Sequence, residues 1–480
     1  MRWAWPLALA LTASLAPASD LRVDPRDLDA LPLHRADATA IAAAVADADM
    51  VKGFGPTLFA VTAPLNLTLA DGRWDAPASG RQRWRLRVHS ADARSLLLYF
   101  SRFNLPEGAA LWIYDAQGRT VRGPYTSANG IADGTLWTAM VPGDTAVVEL
   151  QVDDAQRDRV ELALARVGHA YKNTAQLGDA GACNIDVACP LGNDWRNEVR
   201  STVKLQIPVS FGLFVGLCTG TLVNNTAQDD RPFVLTANHC GIGSLGSPAS
   251  GVVTYWNFQN SGCNVVNATD AQTQSGATLR ASDRGTDLAL IELDQHPDAA
   301  FGVYYAGWDA TSGTGARRGV SLHHPSGDAK KISQFSTPLS PSTVQLGPLG
   351  PNVPAWKVQW SLGATETGSS GAGLWNENRQ IVGVLSGGNS ACSGNVGNGQ
   401  PDYYARLDHQ WLASSQPSGQ LKAWLDPIDS GCRAVGGKNP GNAAAVSCDA
   451  GSGGGGGGAL NVAALLVLLG ALSARRASRA

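Results

Sequence analysis

The chain has 480 residues, enough for two or three domains and a sizeable core. Charged residues make up only 16%, glycine and proline number 55 and 25, and the formal net charge of −3 gives no reason to expect a nucleic-acid partner. Eight cysteines form an even set in which no two are spaced as CxxC, so we expect disulfide bonds in an oxidising compartment, no metal site and no cofactor.

Residues 1–18 have the pattern of a signal peptide. The basic start Met1-Arg2 precedes an apolar stretch over 3–15, and Ala16-Pro-Ala18 offers small residues for cleavage. This segment predicts a secreted or cell-surface protein.

Residues 19–180 form an N-terminal region without cysteine. Residues 27–50 are rich in alanine and aspartate and predict a helix. From Thr57 onward the pattern predicts antiparallel strands and a small β-sandwich, with period-two runs over 84–88, 96–100, 110–114, 147–152 and 160–164. Because this region precedes a cysteine-rich part of the chain, we interpret it as a pro-region that chaperones or inhibits its neighbour. A retained carbohydrate- or partner-binding module is the alternative.

Three residues in the next region have contexts suited to a Ser-His-Asp hydrolase. His239 follows the apolar run Phe233-Val-Leu, Asp287 precedes Leu-Ala-Leu-Ile-Glu-Leu, and Ser370 lies in the turn Gly368-Ser-Ser370-Gly371. Each of them alone would be an ordinary loop residue. Their order, and the glycines that let backbone N–H groups approach a developing oxyanion, together predict nucleophilic catalysis.

The histidine is also bracketed by cysteines. Cys240 is its direct neighbour and Cys218 lies one predicted hairpin upstream. A disulfide bond between them would fix the loop that carries the general base.

The C-terminal end has a three-part layout. An extension over 431–450 is bounded by cysteines, a glycine-rich linker follows at 451–458, and an apolar stretch over 459–473 precedes Arg475-Arg476. The stretch is short for the roughly 20 residues that cross a bilayer. The layout resembles bacterial sorting tails of the Gly-Gly type, which an intramembrane protease trims, and predicts a transient membrane tether. Simple anchoring is the alternative.

Several long phrases of the central region resemble the bacterial lysyl endopeptidases, secreted serine proteases of the chymotrypsin fold. The similarity runs over about 183–427 and is carried by these phrases: Cys183-Asn-Ile-Asp-Val-Ala-Cys189-Pro, Cys218-Thr-Gly-Thr-Leu-Val-Asn-Asn, Thr236-Ala-Asn-His239-Cys240, Tyr255-Trp-Asn-Phe-Gln-Asn, Ala306-Gly-Trp-Asp309, Gly368-Ser-Ser-Gly371 and Trp424-Leu-Asp-Pro427. The resemblance implies an all-β protease domain over 181–430, built as two antiparallel β-barrels with the site in the crevice between them.

The resemblance also implies the role of each catalytic residue. His239 is then the general base, Asp287 orients it, and Ser370 is the nucleophile, with the backbone N–H groups of Gly368 and Ser370 forming the oxyanion hole. Substrates would be proteins or peptides, cleaved through an acyl-enzyme.

The chain departs from related patterns at three places. Trypsin-like zymogens carry, before the nucleophile, an aspartate that receives the new N-terminal ammonium. Here this position is Ser369, so we expect activation by removal of a pro-segment instead. The proline that usually follows the nucleophile's turn is absent from Gly371-Ala-Gly373, which loosens that turn. A histidine of the family is replaced within Leu385-Ser-Gly387.

Substrate preference rests on the same resemblance. It places Asp402 at the base of the pocket for the residue before the scissile bond, with Gly387 and Gly388 among the substrate-binding residues. A buried carboxylate favours a cationic partner, lysine or arginine, and the preference for lysine comes from the resemblance alone.

The family further implies the disulfide pairing. It pairs Cys183 with Cys392, Cys189 with Cys263, and Cys218 with Cys240. Cys432 and Cys448 remain and would form the fourth bond.

Other conspicuous residues receive structural interpretations. We expect Trp256, Trp308 and Trp360 in the core, and a short amphipathic helix at the end of 411–424. Since adjacent residues on a strand point to opposite faces, we interpret His323 and His324 as structural histidines that do not share a metal ion. A cell-surface binding protein on a protease-like scaffold is the alternative function. The intact triad favours a Lys-directed endopeptidase.

Overall fold

The computed structural model describes residues 28–50, 55–78, 80–129, 133–172, 180–244, 246–311, 313 and 315–447. The predicted signal peptide, Cys448 and the tail over 451–480 lie outside these residues, so the pairing of Cys432 with Cys448 does too. Within the described ranges, no helix is long and apolar enough to cross a membrane.

The N-terminal region is a β-sandwich, as the alternating runs predict. One sheet contains the strands Leu33–Arg35, Arg73–Ala78, Arg81–His89, Ala110–Asp115, Val121–Thr126 and Thr145–Asp153. The facing sheet contains Thr57–Thr68, Ser95–Asn104, Leu136–Trp137, Val141–Pro142 and Glu161–Ala170. Residues such as Leu86, Leu98 and Val148 form the core between the sheets.

The predicted N-terminal helix is shorter than the composition indicates. It spans Ala38–Met50, because the side chain of Asp37 accepts hydrogen bonds from the amides of Thr39 and Ala40 at its start. The residues before it form the strand Leu33–Arg35, which pairs in parallel with Arg81–His89.

The region over 181–447, called the protease region below after the resemblance described above, contains two barrel-like antiparallel sheets, so the predicted all-β fold is confirmed. The first has the strands Thr202–Val209, Phe214–Val223, Phe233–Ala237, Val253–Tyr255, Thr273–Ser275, Ala277–Asp283 and Leu288–Leu293. The second has Gly319–His323, Lys331–Phe335, Ser340–Gln345, Asn352–Val358, Gly373–Asn376, Gln380–Gly388 and Asp402–Arg406, with the short strands Ile185–Asp186, Gly307–Asp309, Ala434–Val435 and Val446–Ser447. A separate hairpin joins Cys392–Ser393 to Val396–Gly397.

The N-terminal region and the protease region share one continuous β-sheet. Strand Thr57–Thr68 pairs with Phe214–Val223, with Val61 opposite Phe214 and Ala60 opposite Val215. One sheet of twelve strands therefore runs from the sandwich into the first barrel.

Helices are few in the protease region. They span Arg196–Val199, Leu407–Trp411 and Lys422–Leu425. The predicted C-terminal helix is thus a single turn, in which Trp424 packs edge-on against Phe233. Trp256 and Trp308 are buried in the core, as predicted.

Between pairs of cysteines that both lie in the described ranges, disulfide bonds join Cys183 to Cys392, Cys189 to Cys263 and Cys218 to Cys240. These are the three pairs that the family resemblance implies. The first ties the start of the protease region to the hairpin beside Asp402.

Candidate active site

Strand pairing brings His239 and Asp287 together. Strand Phe233–Ala237 pairs with Leu288–Leu293 so that Ala237 faces Leu288. His239, two residues after the first strand, and Asp287, just before the second, therefore meet at one end of the pair. The Asp287 backbone has a φ of 53°, and its carbonyl accepts a hydrogen bond from the Asn238 amide at 3.0 Å.

The carboxylate of Asp287 holds the imidazole in one orientation. Its Oδ2 lies 2.9 Å from His239 Nδ1, and its Oδ1 accepts a hydrogen bond from the His239 amide at 2.9 Å. Asp287 is fully buried, so water does not compete for these contacts. With Nδ1–H donated to Asp287, Nε2 is left as the basic nitrogen.

The pKa of His239 reflects two opposing influences. Burial lowers it, but the charge of Asp287 and its hydrogen bond raise it by more, so the pKa of His239 lies above its ordinary value. The imidazolium that forms when His239 accepts a proton is thereby stabilised.

Ser370 lies on a sharp turn just before strand Gly373–Asn376. Gly368 and Gly371 flank it with φ values of +90° and +85°, which glycine adopts without strain. A Cβ at Gly371 would lie 2.1 Å from Thr236 Oγ1 and 2.3 Å from the carbonyl of Thr219. Only glycine therefore lets this turn lie directly against the first barrel.

The same contacts bring Ser370 to the histidine loop. Its carbonyl accepts a hydrogen bond from the Thr219 amide at 2.8 Å and lies 3.8 Å from Cys240 Sγ, next to His239. The Cys218–Cys240 bond thus lies next to both the turn that carries Ser370 and the loop that carries His239. Ser370 Oγ makes no hydrogen bond to the His239 ring among the described residues.

The backbone around Ser370 is arranged to leave two amides available. The carbonyl of Thr367 accepts a hydrogen bond from Ser326 N at 2.6 Å, and that of Ser369 accepts one from Ala372 N at 3.0 Å. Because N–H and C=O point in opposite directions across a trans peptide, these bonds fix the N–H groups of Gly368 and Ser370. Neither N–H donates a hydrogen bond within the described part of the chain, so both can bind an oxyanion.

Asp402 lies at the start of strand Asp402–Arg406 and is almost fully buried. Its Oδ2 accepts hydrogen bonds from Trp360 Nε1 at 2.6 Å and from Thr365 Oγ1 at 2.7 Å, and its Oδ1 accepts one from the Ser390 amide at 3.3 Å. All three donors are neutral, and no basic side chain of the described residues forms an ion pair with this carboxylate.

Burial raises the pKa of Asp402 to about 6, and the hydrogen bonds from Trp360, Thr365 and Ser390 lower it only in part. An ionised carboxylate here is costly until a cation reaches it. The arrangement is chemically suited to a Lys or Arg side chain.

The two predicted substrate-binding glycines lie beside this carboxylate. Gly388 is directly opposite Asp402 in the paired strands, and a Cβ there would lie 2.1 Å from Asp402 Oδ1. Gly387 is paired with Tyr403, and a Cβ there would meet no atom within 4 Å. A side chain at Gly388 would therefore collide with the Asp402 carboxylate, whereas Gly387 borders open space.

Three hydrogen-bond donors at Asp402 are not predicted from the sequence. The sequence predicts Trp360 to be a core residue, and it packs partly buried against an apolar cluster of the second barrel, yet its indole N–H donates a hydrogen bond to the carboxylate. Thr365 and Ser390 carry no motif. The only sequence signal for Thr365 is its position five residues before Ser370.

Two barrel-like sheets, with a His–Asp pair from one and a glycine-flanked serine turn from the other, are the architecture of chymotrypsin-type proteases. The family described as "Lysyl endopeptidase, C-terminal domain" matches residues 177–405, and "Lysyl endopeptidase N-terminal domain" matches 33–171. A lysyl endopeptidase of Pseudomonas aeruginosa is 30% identical over 336 residues, which cover 66% of this chain and 67% of that protein. The chain belongs to the lysyl endopeptidase family and is a protease.

Solved structures similar to this chain include two bacterial proteases. A protease from M. tuberculosis in its active form is 18% identical, covers 49% of this chain and 92% of its own, and has a TM-score of 0.32. The MamO protease domain from Magnetospirillum magneticum is 10% identical, covers 46% of this chain and 100% of its own, and has a TM-score of 0.30.

Proposed function

We propose that this chain is a secreted serine endopeptidase that cleaves after lysine, with arginine as the alternative residue, through an acyl-enzyme on Ser370. The observation that carries the reaction is the buried Asp287–His239 pair beside the serine turn. His239 Nε2 takes the proton of Ser370 Oγ as Oγ attacks the scissile carbonyl. The amides of Gly368 and Ser370 then bind the oxyanion, and His239 returns the proton to the leaving amine.

The proposed specificity is supported by the unpaired carboxylate of Asp402. A lysine ammonium would bind it and remove the cost of its burial. Membership of the lysyl endopeptidase family favours lysine over arginine as the residue before the scissile bond. An apolar side chain would leave the charge without a partner.

The proposed maturation has three cuts. We infer loss of the signal peptide over 1–18, cleavage between the pro-region over 19–180 and the protease domain over 181–430, and removal of the tail by an intramembrane sorting protease, with permanent anchoring as the alternative. The matched N-terminal domain ends at 171 and the C-terminal one begins at 177, which supports a boundary between them. Lys172 lies in that interval, so a Lys-directed enzyme could cut itself there.

The test is hydrolysis of matched fluorogenic peptides that differ only in the residue before the scissile bond: lysine, arginine or leucine. We expect the mature wild-type protein to prefer lysine and Ser370→Ala to retain only a trace of activity. A purified wild-type protein that hydrolyses none of the peptides yet binds them would favour the alternative, a binding protein on a protease-like scaffold.

A further inference from the structure

His323 is fully buried and lies directly behind the serine turn. Its Nδ1 is 2.8 Å from Ser369 Oγ, and its Nε2 is 3.0 Å from Ser333 Oγ. No step of the proposed reaction uses this imidazole, yet it touches the residue next to the nucleophile.

The hydrogen-bond partners of Ser333 and Ser369 determine which atom carries each proton in this chain of hydrogen bonds. Ser333 Oγ donates to the carbonyl of Ala364 at 2.8 Å, so it accepts from His323 Nε2–H. Nδ1 is then unprotonated and accepts from Ser369 Oγ–H, while Ser369 Oγ accepts from the Glu366 amide at 3.2 Å. All of these hydrogen bonds can form together only if the His323 imidazole is neutral.

The surroundings of His323 favour the neutral imidazole. Burial, with the charge of Lys331 as a smaller influence, lowers the pKa of His323 to about 3. His323 therefore stays neutral wherever a His239-dependent protease is active.

These contacts attach the segment before Ser370 at both ends. The Ala364 carbonyl is hydrogen-bonded to Ser333 of strand Lys331–Phe335, and the Ser369 hydroxyl is hydrogen-bonded to His323 of strand Gly319–His323. The next residue adds a third attachment, because the His324 amide donates to Thr219 Oγ1, which donates to the Gly368 carbonyl at 2.9 Å.

We propose that His323 is a positioning residue that holds the Glu366–Ser370 turn in its oxyanion-binding conformation through Ser369. An internal, neutral hydrogen-bond chain thus fixes this turn, and no newly cleaved N-terminal ammonium is required at Ser369. This inference rests on the proposed serine-protease function.

The two ends of the imidazole can be tested separately. In His323→Asn the side-chain oxygen replaces Nδ1 as acceptor for Ser369, whereas in His323→Gln the amide replaces Nε2 as donor to Ser333. If the contact with Ser369 positions the turn, we expect kcat for a Lys peptide to fall about 10- to 100-fold in the Gln variant at nearly unchanged KM. The Asn variant should stay within about 3-fold of wild type.

Inhibitors separate positioning from general damage. A lysine-based peptide aldehyde forms a tetrahedral oxyanion on Ser370, whereas a small alkylammonium ion needs only Asp402. His323→Gln should weaken the aldehyde about 10- to 100-fold and leave the alkylammonium Ki within about 2-fold. Ser369→Ala should reproduce this pattern and serves if a His323 variant fails to fold.

The proposal is overturned if His323→Gln and Ser369→Ala keep wild-type kcat and aldehyde affinity, or if both inhibitors weaken equally. A wild-type protein that neither hydrolyses the peptide nor binds the aldehyde would instead refute the serine-protease function itself.

Discussion

Asp287 contacts His239 twice, through Oδ2 to ring Nδ1 and through Oδ1 to the backbone amide, both at 2.9 Å. The backbone bond places the histidine loop, and the ring bond fixes the tautomer. A single buried carboxylate therefore couples loop geometry to the basicity of Nε2.

This double contact predicts the effect of Asp287→Asn. Asparagine can still accept the amide hydrogen bond, but its NH₂ group faces Nδ1 and forces the proton onto Nε2. We expect kcat to fall about 10⁴-fold at neutral pH with little change in KM, as is known for the wrong tautomer in such triads. Steady-state kinetics on a Lys peptide measures this, and Asp429→Asn, on an exposed side chain, is the matched control. A loss below about 10-fold would contradict the triad assignment.

Removing the charge of Asp402 should selectively reduce activity toward Lys peptides. In Asp402→Asn the shape is kept and the charge removed, so kcat/KM for Lys peptides should fall about 10²- to 10³-fold while Leu peptides change less than about 10-fold. In the wild type, selectivity for Lys over Leu should also fall as the pH drops below about 6, because Asp402 then becomes neutral. The His239 titration affects both substrates alike and cancels in the ratio. A pH-independent ratio would refute the role of Asp402.

The same carboxylate should reduce stability in a pH-dependent way. Its pKa is raised from 3.8 to about 6, so the unfolded chain ionises first, and the cost to the fold grows between these values and is complete above them. At pH 8 the cost is about 3 kcal/mol. Asp402→Asn in a Ser370→Ala background should therefore gain about 2 kcal/mol in free energy of unfolding relative to its parent between pH 4 and pH 8. Denaturant titrations at both pH values measure this difference, and equal differences at the two would contradict it.

Much of the architecture follows from local pattern. The run at 96–100 falls within strand Ser95–Asn104 and the run at 147–152 within Thr145–Asp153, because a short apolar run bounded by turn residues is visible in the local sequence. Asp287 and His239 could be named because each lies close to an apolar run that is recognisable in the sequence, Phe233-Val-Leu before His239 and Leu288-Ala-Leu-Ile after Asp287.

What the pattern missed depends on contacts between distant residues. Trp360 and Asp402 are 42 positions apart, and nothing local distinguishes an indole that packs from one that donates to a carboxylate. The pairing of Ala60 with Val215 was missed for the same reason, since two apolar strands do not specify each other in sequence. His323 is fully buried in the structure, but its tautomer follows only from Ser333 and Ser369.

Replacing Gly371, which follows the proposed nucleophile Ser370, should have a severe effect on activity. Gly371→Ala would place a methyl group 2.3 Å from the Thr219 carbonyl, so the turn must move away from the first barrel. We expect at least about a 100-fold loss of kcat/KM, since oxyanion-hole geometry is lost. Gly399→Ala is the control, because its φ of +71° imposes the same backbone strain with no atom within 4 Å. Equal losses in both variants would show that strain, not the contact, is responsible.

The shared sheet makes a prediction about the enzyme after cleavage. Trp137 of the N-terminal region packs in one apolar cluster with Val215, Leu217 and Tyr255 of the protease. Arg122 is buried and forms an ion pair with Asp270 at 2.7 Å across the same boundary. Release would expose these apolar side chains and an unpaired edge of strand Phe214–Val223.

We therefore expect the N-terminal fragment to remain bound after the cut near Lys172. Size-exclusion chromatography of the cleaved protein should show both fragments in one peak, and denaturing electrophoresis should show two bands. Arg122→Leu leaves Asp270 without its partner and should weaken the association at least about 10-fold. Arg119→Leu, on an exposed side chain in the turn between strands Ala110–Asp115 and Val121–Thr126, should not. A protease that elutes free of the N-terminal fragment without denaturant would contradict this prediction and make the region a released pro-segment.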